Sequence, residues 1–572
     1  MQKNFINQKN YSAESRLAVS AKKQQILAIL MAVLLFSFGF LTRVEAAAGD
    51  LDAGFGAGGK VTTDIFGDFD GAVSVLVQTD GKIVAVGNAG AFCAVIRYDN
   101  LGNRDLSFGN GGMALIGFDG GLALDAALQS DGKIVIVGRG GGIDSFADFA
   151  IARLDANGNT DATFNGGATI LAHVTDDFDA ATAVAIQTDG QIVVAGRAFG
   201  LGSTADFGIV RYDASGVLDQ GFGAGGIVIT DFFGDKDGVS DIKIQPDGKI
   251  VVAGDAKIGA VNGYALARYS ASGHIDATFG AGGKVFDGYG GNPGTGNALA
   301  IQTDGKIIVA GRSGNLGLNS NFGIVRYNAS GSLDGAFGIG GVRLIDFFGD
   351  DETAGDIALQ TDGKLIVAGT IKNAAELDFG LARLDANGDL DANFGIGGKV
   401  TTDFLGNDDG ASSLAIQTDG KILMGGFANN GSETDFALAR YEGGATVVSA
   451  NCPRGHGYWK NHPEAWTVNS LKLGNQTYTK TELLILLSAA TKSDAGIILA
   501  RQLIAAKLNL ANGSDPTSIN STIAHADGIL SSFGGKLPYK VKPSSVTGQA
   551  MVADAGILDS YNNGFLTSGC NL

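Results

Sequence analysis

One phrase, Thr-Asp-Gly-Lys-Ile-Val-Val-Ala-Gly with small variations, occurs seven times in this chain, its aspartates falling at Asp80, Asp131, Asp189, Asp247, Asp304, Asp362 and Asp419. Successive intervals are 51, 58, 58, 57, 58 and 57 residues. A near-constant period of this size means one supersecondary unit repeated, each copy burying its apolar face against the next. One period reads as four strands: Val184–Gln187, Gln191–Gly196, Asp206–Asp213 and Ile227–Phe232. The Asp-Gly pair between the first two predicts a hairpin of type I′, with positive φ at both central residues. The chain holds 90 glycines but only 7 prolines, with β-branched runs, which excludes collagen and argues against disorder.

The ends of the repeat region are out of phase with the units. It opens at Leu51 with a glycine phrase and a fourth-type strand, Lys60–Ile65, and ends after a third-type strand, Phe436–Tyr441. Pairing these two segments would close a ring and hide an edge otherwise open to aggregation. The expected fold is therefore mainly β: a seven-bladed β-propeller with N- and C-terminal strand closure, followed by a small, mainly α-helical, disulfide-linked domain. The expected boundaries are 1–46 (signal peptide), 49–443 (propeller), 444–450 (linker) and 451–572 (C-terminal domain).

The motifs Leu-Asp-x-x-Phe-Gly-x-Gly-Gly, Gln-Thr-Asp-Gly-Lys-Ile-Val-Val-Ala-Gly and Ala-Arg-Tyr-Asp resemble the delta-60 repeat of bacterial secreted proteins, over residues 51 to about 443. The third copy departs with Thr163-Phe164-Asn165-Gly166-Gly167, one glycine short. The resemblance implies a propeller and a tandem array, and no shared activity.

Each copy also supplies one strand arginine (Arg97, Arg153, Arg211, Arg268, Arg326, Arg383, Arg440) and one aspartate of the glycine phrase (Asp52, Asp105, Asp161, Asp219, Asp276, Asp334, Asp391). Equal numbers predict structural Arg–carboxylate pairs, one per blade, since guanidinium matches carboxylate in a bidentate fork. The alternative is a ring of charges lining a channel. Asp378-Phe379-Gly380 spells a kinase metal-binding motif, but it recurs at the blade period as Asp148-Phe149-Ala150 and Asp206-Phe207-Gly208, so it reads as a blade strand.

Net charge is -18 overall; residues 1–46 carry six Lys/Arg and two Asp/Glu, leaving 35 basic against 57 acidic residues beyond them. Such a surface repels phosphate backbones and argues against nucleic-acid binding. Lys22 and Lys23 precede an apolar run, Ile26–Leu41, followed by Val44-Glu45-Ala46-Ala47-Ala48, the layout of a secretory signal. An uncleaved anchor is the rival reading; after cleavage no membrane span is expected, and the protein is placed outside the cell or in its envelope, as a monomer.

Of three cysteines, Cys93 lies in a strand core, whereas Cys452 and Cys570 bracket the C-terminal region and are natural disulfide partners in an oxidising compartment. Within that region Thr479-Lys480-Thr481-Glu482 is a capping box before an apolar run, Ser493–Leu510 reads as a second helix with Ile497, Ala500, Ile504 and Leu508 on one stripe, and Asp515-Pro516 starts a third. Its opening segment, Cys452 to Trp466, contains Gly-Tyr-Trp-Lys-Asn-His-Pro-Glu-x-Trp and is similar to a phrase of bacterial secreted proteins of unassigned function.

Two sets of candidate site residues follow. The acidic loops after the fourth strands carry Asp68 and Asp70, Asp235 and Asp237, and Asp408 and Asp409, suited either to Ca²⁺ or to ordinary turns. Trp459 and Trp466 make a sugar platform or a small core, and His456, His462, Cys452 and His525 a zinc set of no common spacing. No repeat carries a distinctive acid–base or nucleophile set. The reading is a non-catalytic exported binding or scaffold protein for a glycan or envelope protein; the alternatives are a propeller enzyme acting on carbohydrate or lactone, and a propeller spacer with a C-terminal attachment module. Intact mass of the exported protein checks the processing expectations: a chain starting at Ala47, about 2 Da lighter before reduction than after it, marks signal cleavage and the Cys452–Cys570 bridge. A full-length mass would mark a retained anchor.

Overall fold

The structure is a computed structural model. It describes residues 46–563 apart from 142–146, 176, 200–203, 289–293, 315–318, 374–375, 445–451, 490–493, 513 and 515–518. The signal segment and Cys570 lie outside the described residues, as does Asp515-Pro516.

Seven four-stranded antiparallel sheets follow one another from Lys60 to Tyr441. The first runs Asp70–Val77, Ile83–Ala89, Phe92–Tyr98 and Met113–Ile116, from the axis outward. The seventh takes Asp409–Ile416, Ile422–Asn429 and Thr434–Tyr441, and its outer strand is Lys60–Thr63 from the other end of the chain. Lys60 pairs with Ala439 and Thr63 with Phe436, which closes the ring as the phase of the chain ends demands. Apolar clusters fill the space between successive blades; the closing seam packs Phe55, Ile83 and Ile96 against Leu423, Phe436 and Leu438.

The hairpins are not of type I′. Only their glycines have positive φ, as at Gly81 (84°) and Gly190 (87°). The N–H of Gly81 donates to the carbonyl of Gln78, and that of Gln78 to Lys82. The loop is thus a three-residue type I turn closed by a left-handed glycine, which leaves aspartate in an ordinary conformation with its Oδ1 accepting the N–H of Lys82. In the third copy Asn165 takes φ 46° where the other copies have glycine, a left-handed position that asparagine tolerates.

Every inner strand carries a β-bulge, between Ala72 and Ser74 in the first blade and between Val239 and Asp241 in the fourth. Opposite each bulge stands the glycine that ends the repeated phrase. A Cβ on Gly87 would lie 2.0 Å from the carbonyl of Gly71, and on Gly254 1.9 Å from that of Gly238. Side chains at the bulge reach the following blade: Asp125 accepts the N–H of Val184, Asp241 that of Leu299, and Asp356 that of Leu414.

The seven arginines meet the seven aspartates. Nε to carboxylate distances include 2.9 Å for Arg97–Asp105, 2.8 Å for Arg153–Asp161, 2.9 Å for Arg268–Asp276, 2.8 Å for Arg326–Asp334 and 3.0 Å for Arg383–Asp391; Arg211 reaches Asp219 at 2.5 Å and Arg440 reaches Asp52 at 2.6 Å through Nη2. Each guanidinium lies 4.5–4.8 Å from the ring centre of the phenylalanine of its glycine phrase, Phe279 beneath Arg268 for example. Each also donates through Nη1 to a carbonyl of the following blade: Arg97 to Ala156, Arg153 to Ala214, Arg211 to Ala271, Arg268 to Ala329, Arg326 to Ala386, Arg383 to Gly443 and, across the seam, Arg440 to Asn100. The pairs are structural.

Beyond the propeller, helices span His456–Asn461, Lys480–Ser488, Ala495–Ala511, Asn520–Ser531 and Val546–Asn562, with a hairpin of Ser470–Leu473 and Gln476–Thr479. The capping box at Thr479 is present, with Glu482 as its partner, and Ile497, Ala500, Ile504 and Leu508 are all buried. The hairpin and the last helix have no counterpart in the sequence reading. Among the described residues no helix is long and apolar enough to cross a membrane. Replacing Arg268 by lysine keeps the charge but cannot hold both Asp276 and the Ala329 carbonyl. Denaturant unfolding should show a loss of about 2–4 kcal/mol; an unchanged midpoint would contradict the inter-blade role.

Candidate functional site: the loop face of the propeller

The two ends of the blades differ. One end is built from the Asp-Gly turns and glycine phrases, where the arginine bonds repeat in all seven copies. At the other end the inner strands begin, the second and third strands join, and the fourth strands leave for the next blade. Carboxylates gather there in a pattern of their own. Asp206 starts a third strand, Asp231 follows the fourth, and Asp237 lies at the start of the next inner strand, at intervals of 25 and 6 residues. Asp378, Asp403 and Asp409 repeat the intervals; so do Asp148, His173 and Asp179, and Asn321, Asp346 and Glu352. At the seam the set is split across the chain: Asp435 near one end, Asp64 and Asp70 near the other.

Two of these groups bring one oxygen from each member within 4.8 Å, Asp206–Asp231–Asp237 and Asp378–Asp403–Asp409, and at the seam Glu433 joins Asp64 and Asp435 within the same limit. Asp237 and Asp409 are buried, and each Oδ2 accepts a loop N–H, from Phe232 at 2.7 Å and Phe404 at 2.6 Å. Burial, together with the neighbouring aspartates, pushes both carboxyls up to about 6. Burial likewise lifts Glu352 to about 7, with Asp346 adding to it. Where histidine replaces the second acid, His173 Nδ1 stands 2.7 Å from Asp148.

The predicted acid pairs divide. Asp70, Asp237 and Asp409 turn into the junctions, whereas Asp68, Asp235 and Asp408 do not join a cluster: Asp68 accepts the N–H of Phe69, Asp235 lies 3.7 Å from Lys257, and Asp408 accepts the N–H of Leu377. Sequence reasoning missed Asp64, Glu433, Asp435, Asp206, Asp231, Asp378 and Asp403. The recurring 25- and 6-residue intervals were the available signal.

Among the described residues the exposed phenylalanines of the propeller lie on this face. Phe69 is 69% exposed, Phe66 51% and Phe348 50%, and Phe92 and Phe233 are exposed as well. Among the described residues the exposed apolar side chains at the opposite end are aliphatic, such as Leu106, Ile339 and Ile396.

In the C-terminal domain the predicted residues turn inward. Trp459 (1% exposed) donates Nε1–H to Asn509 at 2.8 Å, and Trp466 (7%) donates to the carbonyl of Trp459 at 2.8 Å. Both are core, so the sugar-platform expectation gives way. His456 Nε2 meets Arg501 at 2.7 Å, and burial and that charge hold its imidazole below the usual range. His462 stacks on Tyr458 with ring centres 4.4 Å apart, and His525 pairs with Asp554. No cluster of metal-ligating groups among the described residues includes a histidine. Cys93 is buried and its thiol is pushed up to about 12 by that burial.

The closed ring and its repeated bond set define a seven-bladed β-propeller. Six segments, residues 129–164, 187–222, 245–279, 302–337, 360–394 and 417–443, match the family described as "Domain of unknown function (DUF5122) beta-propeller". No curated protein matches the chain in sequence. Similar solved structures include a catalytically inactive virginiamycin B lyase from Staphylococcus aureus with quinupristin (13% identity, 66% of this chain and 98% of that one, TM-score 0.40). An ulvan lyase of polysaccharide lyase family PL25 (11%, 67% and 96%, 0.41) and Sqt1 of Chaetomium thermophilum (12%, 68% and 98%, 0.35) are others. Likeness at this level carries no functional argument.

Asp237, Asp409 and Glu352 keep protons in the folded protein that the unfolded chain releases near pH 4, so their contribution makes stability fall as pH rises through about 4 to 7. Asp161 and Asp276 act in the opposite direction. In Asp161 burial is outweighed by Thr163 and Arg153, in Asp276 the Thr278 hydroxyl and Arg268 prevail, and both titrate at about 2, so stability falls again on acidification below about pH 4. In EDTA the melting temperature should be higher at about pH 5 than at about pH 8, and Asp237→Asn with Asp409→Asn should flatten that slope.

Proposed function

We propose that this is an exported, non-catalytic binding or scaffold protein whose contact surface is the loop face, and that its ligand is a glycan or an envelope protein. The observation that carries the reading is the set of solvent-exposed phenylalanines, Phe66, Phe69, Phe92, Phe233 and Phe348, beside the junction carboxylates. Exposed rings offer flat apolar surface for the C–H faces of sugars or for apolar side chains, and the carboxylates accept hydroxyl or ammonium hydrogens. The opposite end uses its arginines, aspartates and phenylalanines to hold blades together. An acidic face disfavours polyanionic ligands unless a cation intervenes.

A second reading, an enzyme on carbohydrate or lactone substrates, draws on Asp206, Asp231 and Asp237, where closely spaced carboxylates include one that keeps its proton up to about pH 6. A glycan array with the exported protein and with Phe66→Ser/Phe69→Ser/Phe92→Ser separates the possibilities. The first reading expects saturable binding that falls at least about tenfold in the variant. Turnover of an arrayed oligosaccharide, lost in Asp231→Asn, would establish the second reading instead. An array blank for the unmodified protein would discard the glycan ligand and leave envelope proteins.

A further inference from the structure

Where the ring closes, carboxylates from both ends of the chain converge. Asp64 directly follows the outer strand Lys60–Thr63, while Glu433 and Asp435 stand at the entry to Thr434–Tyr441, the strand it pairs with. One oxygen from each lies within 4.8 Å of the others. Asp70 begins the adjacent inner strand, its Oδ2 accepting the N–H of Ile65 at 2.7 Å. Acidic turns are common, and two observations set this one apart. Asp435 is 7% exposed and Asp70 2%, and Oδ1 of each is buried without a hydrogen-bond partner. The other two three-acid clusters contain no such oxygen; Asp148 Oδ1 and Glu352 Oε2 are likewise without a hydrogen-bond partner, but their junctions gather no third carboxylate within reach.

A buried acceptor left unpaired costs free energy, and four carboxylates in one corner add mutual repulsion. The cations of the last blade do not relieve it: Lys421 and Arg440 are engaged with Asp52 and Glu442 at the opposite end, and Lys60 Nζ donates to the carbonyl of Asp403. We propose that the seam is a divalent-cation site, with Asp64, Glu433 and Asp435 as ligands and Asp70 Oδ1 completing the shell, and that the bound ion is Ca²⁺. Calcium takes six to eight oxygens at about 2.3–2.6 Å in flexible geometry and accepts a shell built from several carboxylates, whereas Mg²⁺ keeps most of its waters and is held by only one or two carboxylates, so four convergent carboxylates suit calcium. Because its ligands come from residues 64–70 and 433–435, the ion fastens the first outer strand to the last blade, and calcium becomes a clasp on ring closure. The site stands whatever the loop face binds.

Calorimetric titration of the EDTA-stripped exported protein with CaCl₂, combined with hydrogen exchange of residues 60–63 and 434–441, tests this. Saturable binding, stronger than for MgCl₂, with slowed exchange in both strands is expected. Asp435→Asn should weaken the affinity at least about tenfold and abolish the slowing. Exchange in these strands that is indifferent to calcium, or an Asp435→Asn protein that binds as tightly as the unmodified one, would overturn the proposal. Should Asp435→Asn not fold, the exposed ligand variant Asp64→Asn gives the same reading.

Discussion

The architecture depends on a buried guanidinium used seven times. Each arginine puts Nε on the aspartate of its own glycine phrase, its flat face on that phrase's phenylalanine, and Nη1 on a carbonyl of the following blade. A buried charge is costly unless its hydrogen-bonding sites are met. Here no single blade meets them, because one acceptor always belongs to the neighbour. The chain is thereby driven to go on adding blades until Arg440 finds Asn100 and the ring has no free end. Lysine, a compact ammonium without a planar fork, cannot serve several such acceptors at once.

This arrangement divides the molecule into two working ends. At the turn end the charged groups of the repeat are paired with one another: the lysine of Asp-Gly-Lys reaches both the turn aspartate and that of the glycine phrase, as Lys249 does with Asp247 and Asp276. At the loop end the repeat is relaxed. Acids stand at some junctions, His173 at another and Asn321 at a third, and phenylalanines face solvent. The buried acids of that end favour protonation and the arginine-paired acids of the other favour ionisation, so the ends respond to pH in opposite senses.

Much of this was legible in the chain because repetition makes coincidence visible. Seven arginines matched by seven aspartates pointed to the pairs, and the phase mismatch between Lys60 and Tyr441 pointed to closure. The junction clusters were harder to see. Their members are separated by 25 and 6 residues, and at the seam by almost the whole propeller, so no local pattern joins them. The hairpin type was misjudged for a physical reason: Asp-Gly suits type I′, but a third loop residue lets glycine alone take positive φ. The tryptophans of the C-terminal segment looked like ligand residues because they cluster. Asn509, buried fifty residues away from Trp459, is what turns them into core.

By itself the sequence determined the blade, its number of copies, the place of closure and the sign of the surface charge, since periodicity, counting and composition need no third dimension. The tertiary structure alone decided which acids meet. Whether a carboxylate is a solvated turn residue, like Asp68, or a buried group with an unmet oxygen, like Asp70, depends on how two blades press together. Desolvation and convergence are properties of the packed interface, and two aspartates two positions apart in the chain can fall on opposite sides of it.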